Sequence, residues 1–264
     1  MKKLVPLTLT VLASTLLSGC VTVNPATKIP QDPYESYNRG MFQFNQDFNN
    51  TFLQPITNVY DQAPSSARSG VRNFFNNIYT VGDIGNDLMQ ANFSYAGRDT
   101  ARLFINTFIG FFGMHDVASQ MGIQPHQQSF GMTLAKWGMV NSSYFIIPFF
   151  GPSTVTGLFG MVPDYFMNPV TYVKPNGLAY GMRGLSTVQI ASDSLPKQRF
   201  IMSMALDPYV AIRNAYLQNR EFVVQQIQSD GLSSGQDQVA PGSSLPMVPP
   251  EAPVKQKNAA PGRV

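Results

Sequence analysis

The stretch Tyr144-Phe145-Ile146-Ile147-Pro148-Phe149-Phe150-Gly151-Pro152 carries no charge and almost no polarity, and a proline cuts through it. Pro148 removes a backbone donor and clashes with the turn before it, and Gly151-Pro152 stops the run. No long straight helix therefore passes through. At about 1.5–3 kcal/mol per fully buried large side chain, Phe145, Ile146, Ile147, Phe149 and Phe150 demand cover. Either the protein's own core, as a buried corner between helices, or a lipid phase supplies it.

Working outward, the whole chain leans toward the second reading. Of its 264 residues 44% are hydrophobic but only 12% are charged, about half the usual share of Asp, Glu, Lys and Arg. That is too little charge to coat an ordinary water-facing surface. The formal charge of +3 includes Lys2 and Lys3, which lie in a leader segment; without them 18 − 2 = 16 basic residues face 15 acidic ones. No basic field remains and no Lys/Arg run interleaves with aromatics, so a nucleic-acid partner is excluded. The single cysteine, Cys20, makes neither an internal disulfide nor a cysteine metal cluster. His115 and His126 are the only imidazoles, and neither falls in a metal-binding spacing. No metal or other cofactor is expected.

Residues 1–19 have the parts of an export signal: Lys2-Lys3, an apolar Leu4–Leu16, then small residues. Leu17-Ser18-Gly19-Cys20 resembles the lipobox of bacterial lipoproteins. That resemblance implies cleavage before Cys20 and acyl chains on it; several chains are needed for a durable anchor. Val21, in place of the aspartate of inner-membrane lipoproteins, gives the outer membrane's periplasmic face as the address. Residues 20–31 read as a lipidated tether, 32–230 as one helical domain, and 231–264, rich in Gly, Ser, Pro and Gln, as a disordered tail.

Within the domain the expectation is all-α: short helices interrupted by proline and glycine. Asp32-Pro33-Tyr34-Glu35 reads as a capping box with proline at the first position. Tyr34, Tyr37, Met41, Phe44, Phe48 and Phe52 then form one stripe at helical spacing, up to Pro55. A helix follows Pro64, and a separate short one spans 82–90, with Asp83 and Asp87 one turn apart. The next begins near Ser94 and puts Ala101, Phe104, Ile105 and Phe108 on its apolar side. His115-Asp116 opens a single turn, and Ser129–Trp137 is a helix. A helix capped by Ser153 ends before Pro163. Gly177, Gly181 and Gly184 suggest close backbone approach. Asp207-Pro208 starts the last helix.

Chemistry finds little support. No Gly-x-Ser-x-Gly elbow or glycine-rich phosphate loop occurs, and no catalytic set emerges. Asp83 with Asp87 has the spacing of an acid–base pair but reads more simply as surface carboxylates. The Asn-rich side of the first helix, with Asn38, Asn45 and Asn49, is polar yet uncharged. Lining a passage, it would hydrogen-bond a lipid head group without the desolvation cost of a charge; solvated helix surface is the plainer alternative.

Taken together, these residues resemble the MlaA (VacJ) family of outer-membrane lipoproteins. The matching segments are Asp32-Pro33-Tyr34-Glu35, Asn38-Arg39, Phe44-Asn45, Asn73-Phe74-Phe75, Asn86 to Gln90, Arg102 to Thr107, Gly110 to Ala118, Phe130 to Leu134, Trp137-Gly138, Gly151 to Thr154 and Asp207-Pro208-Tyr209. The resemblance implies a helical ring in the inner leaflet of the outer membrane, bound to a trimeric porin. An amphipathic channel would take misplaced phospholipid from the outer leaflet and pass it to a soluble periplasmic carrier. That carrier feeds an ABC transporter complex in the inner membrane. On this basis Tyr144, Phe145, Ile146, Ile147, Phe149 and Phe150 are expected to face the membrane. Asn38, Phe44, Asn45, Asn49, Asp83 and Asp87 are expected along the lipid path. The alternative function is a structural lipoprotein that scaffolds porins without moving lipid. The chain departs from the family pattern at Ser129, Ser142-Ser143 and Thr156-Gly157; the first and last remove charges, which puts in doubt a salt bridge bracing the loop.

Overall fold

Residues 32–229, the part of the chain that the computed structural model describes, are mostly helical. The signal segment, Cys20 with its tether, and the tail 231–264 lie outside the described residues. Helix α1 (Glu35–Phe48) starts at Tyr34 with no side-chain cap. Asp32 does not close a capping box. It is buried, and accepts hydrogen bonds from Asn38 Nδ2 (2.8 Å), Arg213 Nη1 (3.0 Å) and the Tyr209 hydroxyl. Residues Asn49–Leu53 form a π turn that leads into α2 (Gln54–Tyr60). The wider turn absorbs the clash that Pro55 would impose on a regular helix.

Helix α3 (Ser65–Met89) runs unbroken through Gly82, where a separate helix was expected. Four residues later α4 (Phe93–Phe108) begins, capped by Asn92, not Ser94. Then come α5 (Val117–Gln120), capped by Asp116, and α6 (Phe130–Lys136). The apolar stretch is neither a helix nor a helix corner. It is an antiparallel hairpin, β1 (Tyr144–Ile147) with β2 (Gly151–Thr154), in register Tyr144↔Thr154 through Ile147↔Gly151. Phe149 (φ 68°) and Gly151 (φ 92°) adopt the left-handed backbone that reverses the chain. Thr154 caps α7 (Val155–Met167), which continues through Pro163. A 3₁₀ turn (Pro169–Tyr172), α8 (Asn176–Met204) and α9 (Pro208–Ser229) complete the chain. Asp207 caps α9 as expected, accepting from Val210 N at 3.2 Å.

Close backbone approach occurs, at different glycines from those expected. Nothing lies within 4 Å of a Cβ placed on Gly177, Gly181 or Gly184. A Cβ on Gly160 of α7 would stand 2.5 Å from the backbone nitrogen of Gly131 in α6. These two helices touch main chain to main chain.

The interior inverts the usual partition. Among the described residues, more polar and charged side chains than apolar ones are fully buried. Helix α4 shows the inversion most clearly. Its buried positions are Ala96, Asp99, Arg102 and Asn106, at spacings of three and four, while Phe104 and Phe108 are 57% and 76% exposed. The helical period was right and the inward face was the opposite one. Along the stripe of α1 and its flanks likewise, Asn38 and Asn45 are buried, whereas Tyr34, Phe44 and Phe52 are exposed and Tyr37, Met41 and Phe48 part-buried. Among the described residues no helix is long and apolar enough to cross a membrane.

Candidate functional site

The hairpin and α1 form one device. Asn38 donates to Tyr144 O (3.2 Å) and accepts from Ile146 N (2.8 Å). Asn45 donates to Ile147 O (3.0 Å) and accepts from Phe149 N (2.7 Å). Seven helical residues rise about 10.5 Å, and three strand residues cover about 10 Å. Two asparagines two turns apart therefore match two successive backbone sites, Asn38 on β1 and Asn45 where β1 runs into the turn. Their amides pair main chain as a neighbouring strand would. Both amides are committed to backbone, so Asn38 and Asn45 do not line a passage.

The same docking decides which apolar side chains stay outside. Tyr144, Ile146 and Ile147 are buried; Tyr144 and Ile146 pack with Tyr209 on α9 and with Met41 and Phe42 on α1. The expectation that these three face lipid is thereby corrected: strand alternation and the α1 dock turn them into the protein. Phe145 is half-buried and stacks on Tyr37 at 4.8 Å. Phe149 and Phe150, at the tip, are 57% and 73% exposed. Phe149 meets Phe44 and Phe48 edge-on, at 5.1 and 4.9 Å, so Phe44 belongs to an aromatic tip. Asn49 is part-buried in the π turn. Beyond α4 the turn at 109–114 projects Phe111 and Phe112 outward, both in the left-handed backbone (φ 52° and 55°). Phe159, Val162 and Phe166 on α7 are exposed as well.

Between α3, α4 and α6 lies a buried polar cluster. Asp83 and Asp87 belong to it, so neither is a solvated surface carboxylate. Asp83 accepts from Gln128 N (2.7 Å), and burial holds its carboxyl well above the ordinary range, with Asp99, Asp87 and Asp164 adding to the rise. Asp87 is wholly buried, and burial raises its carboxyl while His126 opposes. Burial pushes Asp99 up to about 7, against the pull of His126. From Gln90 the network runs through Thr133 Oγ1 (3.0 Å) to Asn86 Oδ1 (2.8 Å). Asn86 in turn donates to Asp164 on α7 (3.1 Å). Asp99, Asn86 and Asp164 carry no signature in sequence, because their roles depend on contacts between distant helices. A second buried hub joins Arg102 and Asn106 of α4 to Asp116 at 3.2 and 3.0 Å, with Ser119 Oγ at 2.6 Å.

A family model described as MlaA lipoprotein matches residues 30–223. The chain belongs to the MlaA lipoprotein family. It is 29% identical to the intermembrane phospholipid transport system lipoprotein MlaA of Escherichia coli, over 80% of this chain and 86% of that one. An uncharacterised protein of Rickettsia typhi is 32% identical over 79% of this chain and 81% of its own length. Among solved structures, one described as the structural basis for maintenance of bacterial outer membrane lipid asymmetry shares 25% identity. Its TM-score is 0.63, covering 73% of this chain and 98% of that one.

The segments at which the sequence departs from the expected MlaA pattern are held by local hydrogen bonds. Ser129 makes no side-chain cap on α6, and Asp164 of α7 takes over, accepting from Phe130 N at 2.9 and 3.1 Å. Ser142 Oγ accepts from Thr156 N (2.9 Å), and Ser143 O from Val155 N (3.1 Å). Uncharged hydrogen bonds thus tie the hairpin's entry to α7.

Proposed function

We propose that this MlaA family member is an outer-membrane lipoprotein, held by acyl chains on Cys20, that removes mislocalised phospholipid from the outer leaflet. It acts as an amphipathic conduit and not as an enzyme, and hands the lipid to a soluble periplasmic carrier for return to an inner-membrane ABC transporter complex. A trimeric porin is its membrane partner. The observation that carries this reading is the inverted partition: phenylalanines outside, carboxylates and amides inside, on helices too short or too polar to span a bilayer. In a leaflet, exposed Phe104, Phe108, Phe149, Phe150 and Phe159 meet acyl chains instead of water, and helices satisfy the backbone internally. The likeness to the phospholipid-transport lipoprotein of Escherichia coli supports the same direction.

The Asp83–Asp87–Asn86 interior supports a polar route past α3. Deleting the gene and complementing it tests the reading. Phospholipid should accumulate in the outer leaflet on deletion and clear on complementation. An unchanged lipid distribution with intact porin binding would leave only the scaffold.

A further inference from the structure

Asp87 on α3, Asp99 on α4 and His126 on the segment between α5 and α6 direct ligating atoms at one point. One carboxylate oxygen from each aspartate and one ring nitrogen all lie within 4.8 Å of one another. His126 Nδ1 stands 3.4 Å from Asp87 Oδ1 and 4.0 Å from Asp99 Oδ2. Asp87 is 0% and Asp99 1% exposed. Neither oxygen of Asp87 has a hydrogen-bond partner, nor does Asp99 Oδ2 or His126 Nδ1. A buried polar atom without a partner bears its full desolvation cost. Four of them around one point are what a bound cation would satisfy.

Arg102 and Arg98 act on Asp99 as nearby charges, and neither hydrogen-bonds the unpartnered oxygens. Arg102 is committed to Asp116, Ser119 and Ile123 O, and the guanidinium of Arg98 lies over the Tyr95 ring at 5.2 Å. The imidazole itself is held in place. Tyr95 stacks on it at 3.9 Å, and its Nε2 lies 2.9 Å from the Gln128 amide. The atom facing Nε2 is Gln128 Nε2, while Gln128 Oε1 accepts from Gln90 Nε2 at 3.0 Å. A cation bound at Nδ1 places the ring proton on Nε2 and turns the Gln128 amide oxygen to accept it. A metal-bound histidine is oriented in this way by its outer partner.

We propose that Asp87, Asp99 and His126 bind a divalent first-row transition-metal ion, Zn²⁺ or Mn²⁺, that cross-links α3, α4 and the segment preceding α6. Two ligands about 2.1 Å from a shared tetrahedral ion stand about 3.4 Å apart, as Asp87 and His126 do. One imidazole with two carboxylates suits these ions better than Mg²⁺, which keeps its waters. The sequence gives no motif for the site, since its ligands come from three separate elements.

The test uses the full-length lipoprotein, purified in detergent, treated with chelator and desalted. ZnCl₂, MnCl₂ and MgCl₂ are then titrated separately, and bound metal and the thermal midpoint are measured. About one equivalent of Zn²⁺ or Mn²⁺ per chain is expected, with a saturable rise in midpoint that Mg²⁺ does not give. His115→Ala should bind as the parent does, while Asp99→Asn and His126→Gln should weaken binding at least tenfold with helical content intact. Absent stoichiometric binding, or equal binding by the parent and both ligand variants, would overturn the proposal. Should the ligand variants fail to fold, the parent and His115→Ala titrations decide it, loss of binding in His115→Ala counting against the site.

Discussion

Asp32 shows how much one residue decides here. Its carboxylate is fully buried, and Arg213, itself buried, is the charge that balances it at 3.0 Å. Removing one partner leaves the other as an uncompensated buried charge. Asp32→Ala or Arg213→Met should therefore each cost about 3–5 kcal/mol in urea unfolding, and the double variant less than their sum. Asp116 carries a pH signature. Burial would raise its carboxyl, but the Ser119 hydroxyl and N–H, Asn106 and Arg102 together hold it below the ordinary value. A depressed carboxyl adds stability that is present above the unfolded value and is lost as pH falls through the folded one. Acid unfolding of Asp116→Asn should thus show a shallower loss below about pH 4 than the parent. Residue roles of this kind were partly legible. Asp116 and Asp207 read correctly as caps, because a cap is a local rule. Asp32 did not, because its partners lie six, 177 and 181 positions away.

At the scale of elements, spacing told which segments are helices but not which side faces in. The period of α1 and α4 is set by backbone geometry, whereas the choice of face assumed that apolar residues point inward. The hairpin was hidden for another reason. Its edge is completed by Asn38 and Asn45, about a hundred residues earlier, and no property of Tyr144–Thr154 announces that. Asn45→Ala leaves the Phe149 N–H unpaired, at about 1–3 kcal/mol, while Ile147 C=O keeps its bond from Phe150 N. Hydrogen exchange should show the Phe149 amide losing protection while α8 amides are unchanged. At the α6–α7 crossing, Gly160→Ala sets a methyl against Gly131 main chain, which has no rotamer with which to yield. The thermal midpoint should fall, since overpacking costs about 1–3 kcal/mol even where side chains can move.

For the whole molecule, the inverted partition distinguishes two kinds of aromatic position. Phe149 and Phe150 are the exposed side chains of the hairpin tip, so Phe149→Asp with Phe150→Asp should leave helical content unchanged. The melting midpoint should fall only by the loss of the Phe149 contacts with Phe44 and Phe48, about 0.5–1.5 kcal/mol for each pair. Flotation with phospholipid vesicles should fall several-fold for a variant that also lacks the acyl anchor. Ile146→Asp, by contrast, places a charge in the seam between α1, β1 and α9 and should prevent folding. Unaltered flotation of the double variant would mean that the hairpin tip does not touch lipid.

The left-handed pair Phe111-Phe112 carries one last consequence. Glycine adopts that backbone without penalty, so Phe111→Gly or Phe112→Gly should toughen the isolated protein by about 1 kcal/mol while shedding grease from its rim. A library selected for heat endurance would drift toward glycine at both places; one selected for an intact cell envelope would return to phenylalanine.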